Sequence, residues 1–131
     1  TTLVNKGILN SYLLNQFGAN KTGLPIALND GDNMIMDAGE TELDDLIAGV
    51  EKGILLGRFS GGSPNDKGDF SGVAKNSYYI ENGKILYPVS ETMVSGNIAS
   101  VLKEVNAVSR QQVDFGNCAY SWIRSPGLVI S

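Results

Sequence analysis

Hydrophobic and polar positions are patterned most clearly between Gly53 and Pro88, GILLGRFSGGSPNDKGDFSGVAKNSYYIENGKILYP. Ile54-Leu55-Leu56 predicts a buried strand, Gly61 to Asp66 a glycine-rich turn, and Val73 to Ile80 a second, long strand. Asn82-Gly83 between Ile80 and Ile85 is a hairpin signal, because both residue types accept the positive φ of a type I′ turn. Ile85, Leu86, Tyr87 and Val89 then predict a third strand. The other elements are expected to pack around this stretch.

Two further strands are predicted before it, Thr2–Asn5 and Ile8–Leu14, joined at Lys6-Gly7. Phe17 to Asp32 carries Gly18, Gly23, Pro25 and Gly31 and reads as loop, with Ile26–Leu28 as a short strand within it. Met34–Asp37 reads as another strand.

Helical periodicity occurs twice. Leu43, Leu46, Ile47 and Val50 fall at spacings of three and four and predict a helix over about residues 41–52. Thr41-Glu42-Leu43-Asp44 fits a capping box at its start, and Gly53 a stop at its end. Ile98, Val101, Leu102, Val105 and Val108 predict a second helix over about residues 97–108, capped by Ser95 or Asn97. Val113 to Ser131 reads as strand, turn and strand, broken at Pro126-Gly127. The expected fold class is therefore α+β, strand-dominated: a curved or barrel-like, largely antiparallel sheet with two helices, in one domain spanning residues 1–131.

Composition supports that class. The chain has 131 residues, enough to bury a core without staples, and its charged fraction of 18% lies below the roughly 25% of ordinary domains. A net charge of −4, with no clustered Lys or Arg, argues against nucleic-acid binding. The apolar runs are too short to span a membrane, and no signal peptide is visible. A single cysteine excludes an internal disulfide and suits the cytoplasm. The chain opens on Thr1-Thr2 without Met, which reads as a processed or truncated product.

The absence of histidine removes more chemistry than any other feature. Ser-His-Asp and Cys-His catalysis and His-based zinc sites cannot be completed within these residues. Gly57 to Ser63 lacks the Gly-Lys-Ser/Thr ending of a phosphate loop. Asn29-Asp30-Gly31-Asp32-Asn33 lacks the glycine and the bidentate glutamate of a calcium loop and reads as a polar turn. Ser100-Val101-Leu102-Lys103 has a Ser-x-x-Lys spacing without companion motifs. Cys118 has two readings: a small, part-buried apolar side chain, or a metal ligand with partners on another segment.

Several segments, in order, resemble the C-terminal domain of the TldD/PmbA family, also described as modulators of DNA gyrase and regarded as peptidases. Thr1-Thr2-Leu3-Val4-Asn5-Lys6-Gly7-Ile8-Leu9 with Tyr12-Leu13 is similar to the family's TTLVENGVL-x-x-YL opening. Gly39 to Ile47 resembles its acidic helix start, and Lys52-Gly53-Ile54-Leu55 its KGI-L strand. Gly61-Gly62 with Lys67-Gly68-Asp69-Phe70-Ser71 resembles GG…TGDFS. Ile80 to Ile85 with Pro88-Val89 resembles IENGKI--PV, and Ser95-Gly96-Asn97 resembles SGN before a helix. Single motifs are weak; six in register are specific.

The resemblance implies an N-terminal domain outside these residues. In TldD-type members that domain carries an H-E-x-x-x-H helix that binds zinc, and a cysteine near the C-terminus completes the site. Cys118 falls where that ligand is expected. The tail departs from that pattern: Cys118 is followed by Ala119-Tyr120-Ser121-Trp122 rather than G-K-x-G-Q, and Ser125 to Ile130 is nearer to PmbA-type tails.

The implied function is proteolysis or peptide maturation in a protein whose complete active site lies partly elsewhere. This domain would contribute cleft walls, peptide binding and subunit contacts, with Gly61, Gly62, Gly68 and Phe70 beside the cleft. Expected partners are an unfolded or extended peptide and a TldD/PmbA-type subunit, in a homodimer or heterodimer. The alternatives are a metal-free, inert PmbA-type scaffold subunit and, more weakly, a modulator of DNA gyrase.

Overall fold

The computed structural model describes residues 1–28 and 31–131, so Asn29 and Asp30 of the polar turn lie outside the described residues. The chain divides into two compact units, Thr1–Met36 with Asp114–Tyr120 and Asp37–Val113 with Ser121–Ser131. Among the described residues strands dominate, most strand pairs are antiparallel, and three helices accompany them. The expected class is correct, although no sheet closes into a barrel among the described residues.

In the first unit, β1 (Val4–Asn5) and β2 (Ile8–Leu9) form a hairpin across Lys6-Gly7, whose φ values of 48° and 80° suit a primed turn. The strands are shorter than expected. A helix, α1 (Gln16–Thr22), occupies part of the predicted loop. Asn15 caps it by accepting from the Gly18 amide at 2.9 Å, and Gly23, at φ 71°, ends it. Residues 26–28 make no strand; the Ala27 amide donates singly to the Leu14 carbonyl at 2.8 Å. Met34–Asp37 contributes only an isolated bridge, Ile35 to Ala119.

In the second unit, α2 (Leu43–Ala48) is half the predicted length. The capping box does not form. Glu42 is the cap residue, and the Leu43 amide donates to Oε1 of the distant Gln111 at 2.9 Å. The helix stops at Gly49 rather than Gly53, because Lys52–Leu55 is drawn into a strand paired with Tyr78–Glu81. The Gly83 amide donates to Val50 at 2.8 Å and the Asn82 amide to Glu51 at 2.7 Å. The Asn82-Gly83 turn therefore seats on the chain leaving α2. A Cβ on Gly83 would lie 2.5 Å from the Ala48 carbonyl oxygen.

The stretch from residue 53 to 88 holds five strands rather than three. They are β3 (Lys52–Leu55), β4 (Arg58–Gly61), β5 (Asp69–Lys75), β6 (Ser77–Glu81) and β7 (Lys84–Val89). β3 pairs with β6, and after one corner β4 pairs with β5. The result is a long ribbon bent at Leu56-Gly57 and Asn76, with its two halves in different sheets. One sheet has the order β3-β6-β7. The other adds β8 (Met93–Asn97) and β11 (Val129–Ile130) in the order β11-β8-β5-β4.

α3 (Ile98–Glu104) follows β8 directly and is capped by Asn97, whose Oδ1 accepts from Ala99 and Ser100 at 3.1 and 3.3 Å. It ends at Val105 rather than Val108, since Ala107–Asp114 enters β9, which pairs with β10 (Ala119–Arg124).

The buried apolar residues are Leu46, Ala74, Ile80, Val94 and Val101, from α2, β5, β6, β8 and α3. Three serines are buried with them, and each hydroxyl has a partner. Ser77 holds the ribbon's corner: its Oγ accepts from the Gly57 amide at 3.0 Å and donates to the Lys75 carbonyl at 2.8 Å. Ser109 accepts from the Trp122 amide at 2.8 Å and so ties β9 to β10.

The corner also fixes Gly57, where a Cβ would lie 2.2 Å from the Asn76 carbonyl oxygen. Gly57→Ala should therefore destabilise the domain by about 2 kcal/mol or more, within the range of backbone-strain mutants. Gly62, with nothing within 4 Å of its would-be Cβ, should accept alanine within about 0.5 kcal/mol. Urea unfolding of the two variants measures the difference; equal midpoints would refute the corner's role.

Candidate functional site

Of the residues singled out for function, Cys118 stands apart in the first unit. The loop between β9 and β10 reverses through Gly116, at φ 90°, while the Phe115 amide donates to the Cys118 carbonyl at 2.8 Å. The Cys118 thiol is half-buried and donates to the Asp32 carbonyl oxygen at 3.6 Å. Asn117 Nδ2 donates to the same carbonyl at 3.2 Å. Tyr120 approaches from its own strand and packs against Phe115 with ring centroids 6.2 Å apart. Its phenol is held above the ordinary value by a side-chain hydrogen bond with Cys118, then by partial burial, then by the charge a thiolate would place beside it.

This environment decides what the loop can hold. A zinc ligand must be a thiolate, whereas here the thiol uses its proton on a backbone carbonyl. Among the described residues, no group of three or more His, Cys, Asp or Glu side chains could hold a metal ion. One thiol is below the three or four protein ligands that zinc takes. The residues present do not by themselves fit a zinc centre.

Gly61, Gly62, Gly68 and Phe70 belong to the second unit, around β4 and β5. Phe70 meets Phe59 edge to face, with centroids 5.8 Å apart. The glycines make room for these rings. A Cβ on Gly61 would lie 2.7 Å from the Phe59 ring, one on Gly72 at 2.4 Å, and one on Gly96 3.4 Å from Phe70. Gly61 pairs with Gly72 across β4 and β5, so the Phe59 ring lies over two facing glycines. Gly68, at φ 87°, shapes the turn into β5. Gly62 is open to solvent just beyond the end of β4.

Sequence reasoning missed the polar cluster joining the two glycine motifs. Asn65 Oδ1 accepts from the Lys67 and Asp69 amides, both at 2.9 Å, closing the 65–69 turn. Asn97 Nδ2 donates to Asp69 Oδ1 at 2.8 Å and to the Lys67 carbonyl at 2.9 Å. The Ile98 amide donates to the Gly68 carbonyl at 2.8 Å. Asp69 of Gly-Asp-Phe-Ser thus bonds Asn97 of Ser-Gly-Asn and fixes the start of α3 beside the turn. The only signal in the sequence was the pair of Asx side chains, at Asn65 and Asn97, in turn and cap positions.

β4 is a sheet-edge strand: its one partner among the described residues is β5. Its residues are exposed apart from the half-buried Phe59.

With this geometry in place, comparison with known proteins settles the family. The family model for the PmbA/TldA metallopeptidase C-terminal domain matches residues 1–131. The chain belongs to this family. A PmbA metalloprotease homologue of Buchnera aphidicola is 28% identical over 96% of this chain and 30% of its own length. A TldD metalloprotease homologue of Haemophilus influenzae is 30% identical over 87% of this chain and 27% of its own. A TldD homologue of Saccharolobus solfataricus named a zinc metalloprotease is 25% identical over 87% of this chain and 28% of its own.

Among solved structures, a proposed modulator of DNA gyrase from Bacteroides thetaiotaomicron superposes with a TM-score of 0.85. It is 33% identical over 98% of this chain and 30% of that one. The chain thus spans under a third of these relatives. Both TldD and PmbA homologues match it, so the likeness favours neither subunit type.

The Cys118–Tyr120 contact yields a direct test. Tyr120 should titrate above the ordinary phenol value of about 10, and Cys118→Ala should move it back toward that value. A phenol pKa raised on folding contributes stability that is fully present below its unfolded value. That contribution is lost as pH rises through the folded value. Ultraviolet titration of the tyrosines reads the shift, and an unchanged curve in Cys118→Ala would show the contact to be immaterial.

Proposed function

We propose that this chain is the C-terminal domain of a longer TldD/PmbA-type metallopeptidase and forms the wall on which an extended peptide lies. The observation that carries this reading is the open edge of β4. An unpaired edge offers backbone amides and carbonyls in register with an extended chain, as in binding by strand addition. Gly61 and Gly62 place no side chain in the path of that chain, and the Phe59–Phe70 pair gives it an apolar wall. Gly68 acts indirectly, by setting the turn from which β5 starts. Main-chain pairing would give affinity with little sequence preference, which suits unfolded or extended peptide as the substrate class. Any hydrolytic metal would be held by residues outside this chain, and the protein would act in the cytoplasm.

A second reading is favoured by the environment of Cys118: a metal-free, PmbA-type subunit that pairs with a catalytic one. The thiol's donation to the Asp32 carbonyl is what a structural cysteine does. Modulation of DNA gyrase through direct DNA contact is weaker, because the net charge is −4.

The reading is tested on the natural-length protein, alone and with a family partner, using unstructured peptides. Alternate N-methylation of the peptide removes the amides that face β4 and should weaken binding by about tenfold or more, since several main-chain bonds are lost together. Equal binding of methylated and unmethylated peptide would refute the β4 edge as the acceptor. Metal analysis addresses the second reading: about one zinc per chain, lost in Cys118→Ala, would reject the metal-free subunit and make Cys118 a ligand.

A further inference from the structure

The first unit has an unusual balance of burial. None of its described residues is buried, whereas the buried apolar residues all belong to the second unit. Ile8, Leu9, Tyr12, Phe17, Leu28 and Ile35 stand between 55% and 92% exposed. Single exposed apolar residues are ordinary; a unit without a buried side chain is not, because small units gain little from burial even when they have a core.

Leu28 among them lines a shallow cleft with Leu13, Leu14, Ile26 and Ala27, and Asn15 and Gln16 also line it. Among the described residues, no charged one lines it. The Ala27 amide donates to the Leu14 carbonyl and holds the two walls together. Such a surface fits an apolar, uncharged occupant with few polar groups to satisfy.

We infer that the apolar face of residues 1–36 is the seat for polypeptide of the same protein lying outside residues 1–131. The choice of occupant rests on length: matched relatives are more than three times longer than the matched span, which covers 27–30% of them. The inference therefore rests on the reading above, that this domain works within a longer chain, and it adds where the remainder docks. A second copy or a separate partner would bury the same face in a concentration-dependent way; a segment of the same chain would not.

Hydroxyl-radical footprinting of the natural-length protein reads this directly, with the urea-unfolded protein as reference. Leu9, Tyr12, Phe17 and Leu28 should label about tenfold more slowly in the folded protein, and dilution should leave that protection unchanged, as for an intramolecular contact. Labelling at rates suited to their exposure here would overturn the inference. So would protection that disappears on dilution, which would assign the face to a second copy. A natural polypeptide bounded by Thr1 and Ser131 would overturn it together with the reading of a longer peptidase. Exposed labelling in a longer, peptide-binding protein would overturn this inference alone. As a second readout, Leu28→Ser should lower the Tm of the natural-length protein, although Leu28 is 92% exposed here. An unchanged Tm would count against the seat.

Discussion

The second unit depends on one corner. β3 and β6 would continue as a straight ribbon into β4 and β5 were it not for the bend at Gly57 and Asn76. Ser77 Oγ bridges that bend, accepting from the Gly57 amide on one strand and donating to the Lys75 carbonyl on the other. A bent ribbon leaves ladder groups unpaired, and a buried unpaired amide costs about as much as a lost hydrogen bond. One buried hydroxyl satisfies both groups at the edge of the core. With the corner fixed, Ile80 and Ala74 are buried on different sheets, and α2 and α3 supply Leu46 and Val101 to the same core. The close approach of Gly57 to the Asn76 carbonyl explains why this joint has no side chain.

Residues that make the sequence recognisable prove to be structural at close range. Gly-Asp-Phe-Ser and Ser-Gly-Asn lie almost thirty residues apart, yet Asp69 and Asn97 bond each other, and Asn97 also caps α3. Gly61, Gly72 and Gly96 accommodate Phe59 and Phe70. The sheet edge and the turn beside it are thereby held in place. Among the described residues, none of these groups belongs to a set that could hold a metal ion.

Local signals in the sequence were legible wherever the chain satisfies itself. The Lys6-Gly7 and Asn82-Gly83 turns need only their own backbone angles, and Asn97 caps the helix that immediately follows it. Errors arose where distant groups intervene. Thr41 to Asp44 is a sound capping box, but Gln111 supplies the acceptor for Leu43 and Arg110 pairs with Glu42 at 3.0 Å. The first predicted helix should run on to Lys52, but Lys52–Leu55 is taken into β3 by its pairing with β6. α1 has no apolar stripe to announce it, and Phe17 is 73% exposed; only the Asn15 cap and Gly23 stop were there to be read. The corner was hidden because Ser77 looks like any polar residue between strands. At the candidate site, the glycines and Phe70 could be placed in one region from the sequence, but the company of Cys118 could not. Asp32 lies 86 positions away from it.

That separation bears on how chemistry is divided in the protein. A backbone edge such as β4 can hold an extended chain but cannot polarise or attack it, because it has no group that changes protonation or charge near neutral pH. The absence of histidine also removes from these residues the side chain that most often does so. The one thiol is half-buried and donates to the Asp32 carbonyl, beside the Tyr120 phenol. On the proposed reading, a domain built this way would serve an active and an inert subunit equally well, since it would offer a substrate geometry alone. Similarity to both TldD and PmbA homologues accords with that division. If β4 aligns a peptide as proposed, what distinguishes the two kinds of subunit would lie in side chains outside these residues.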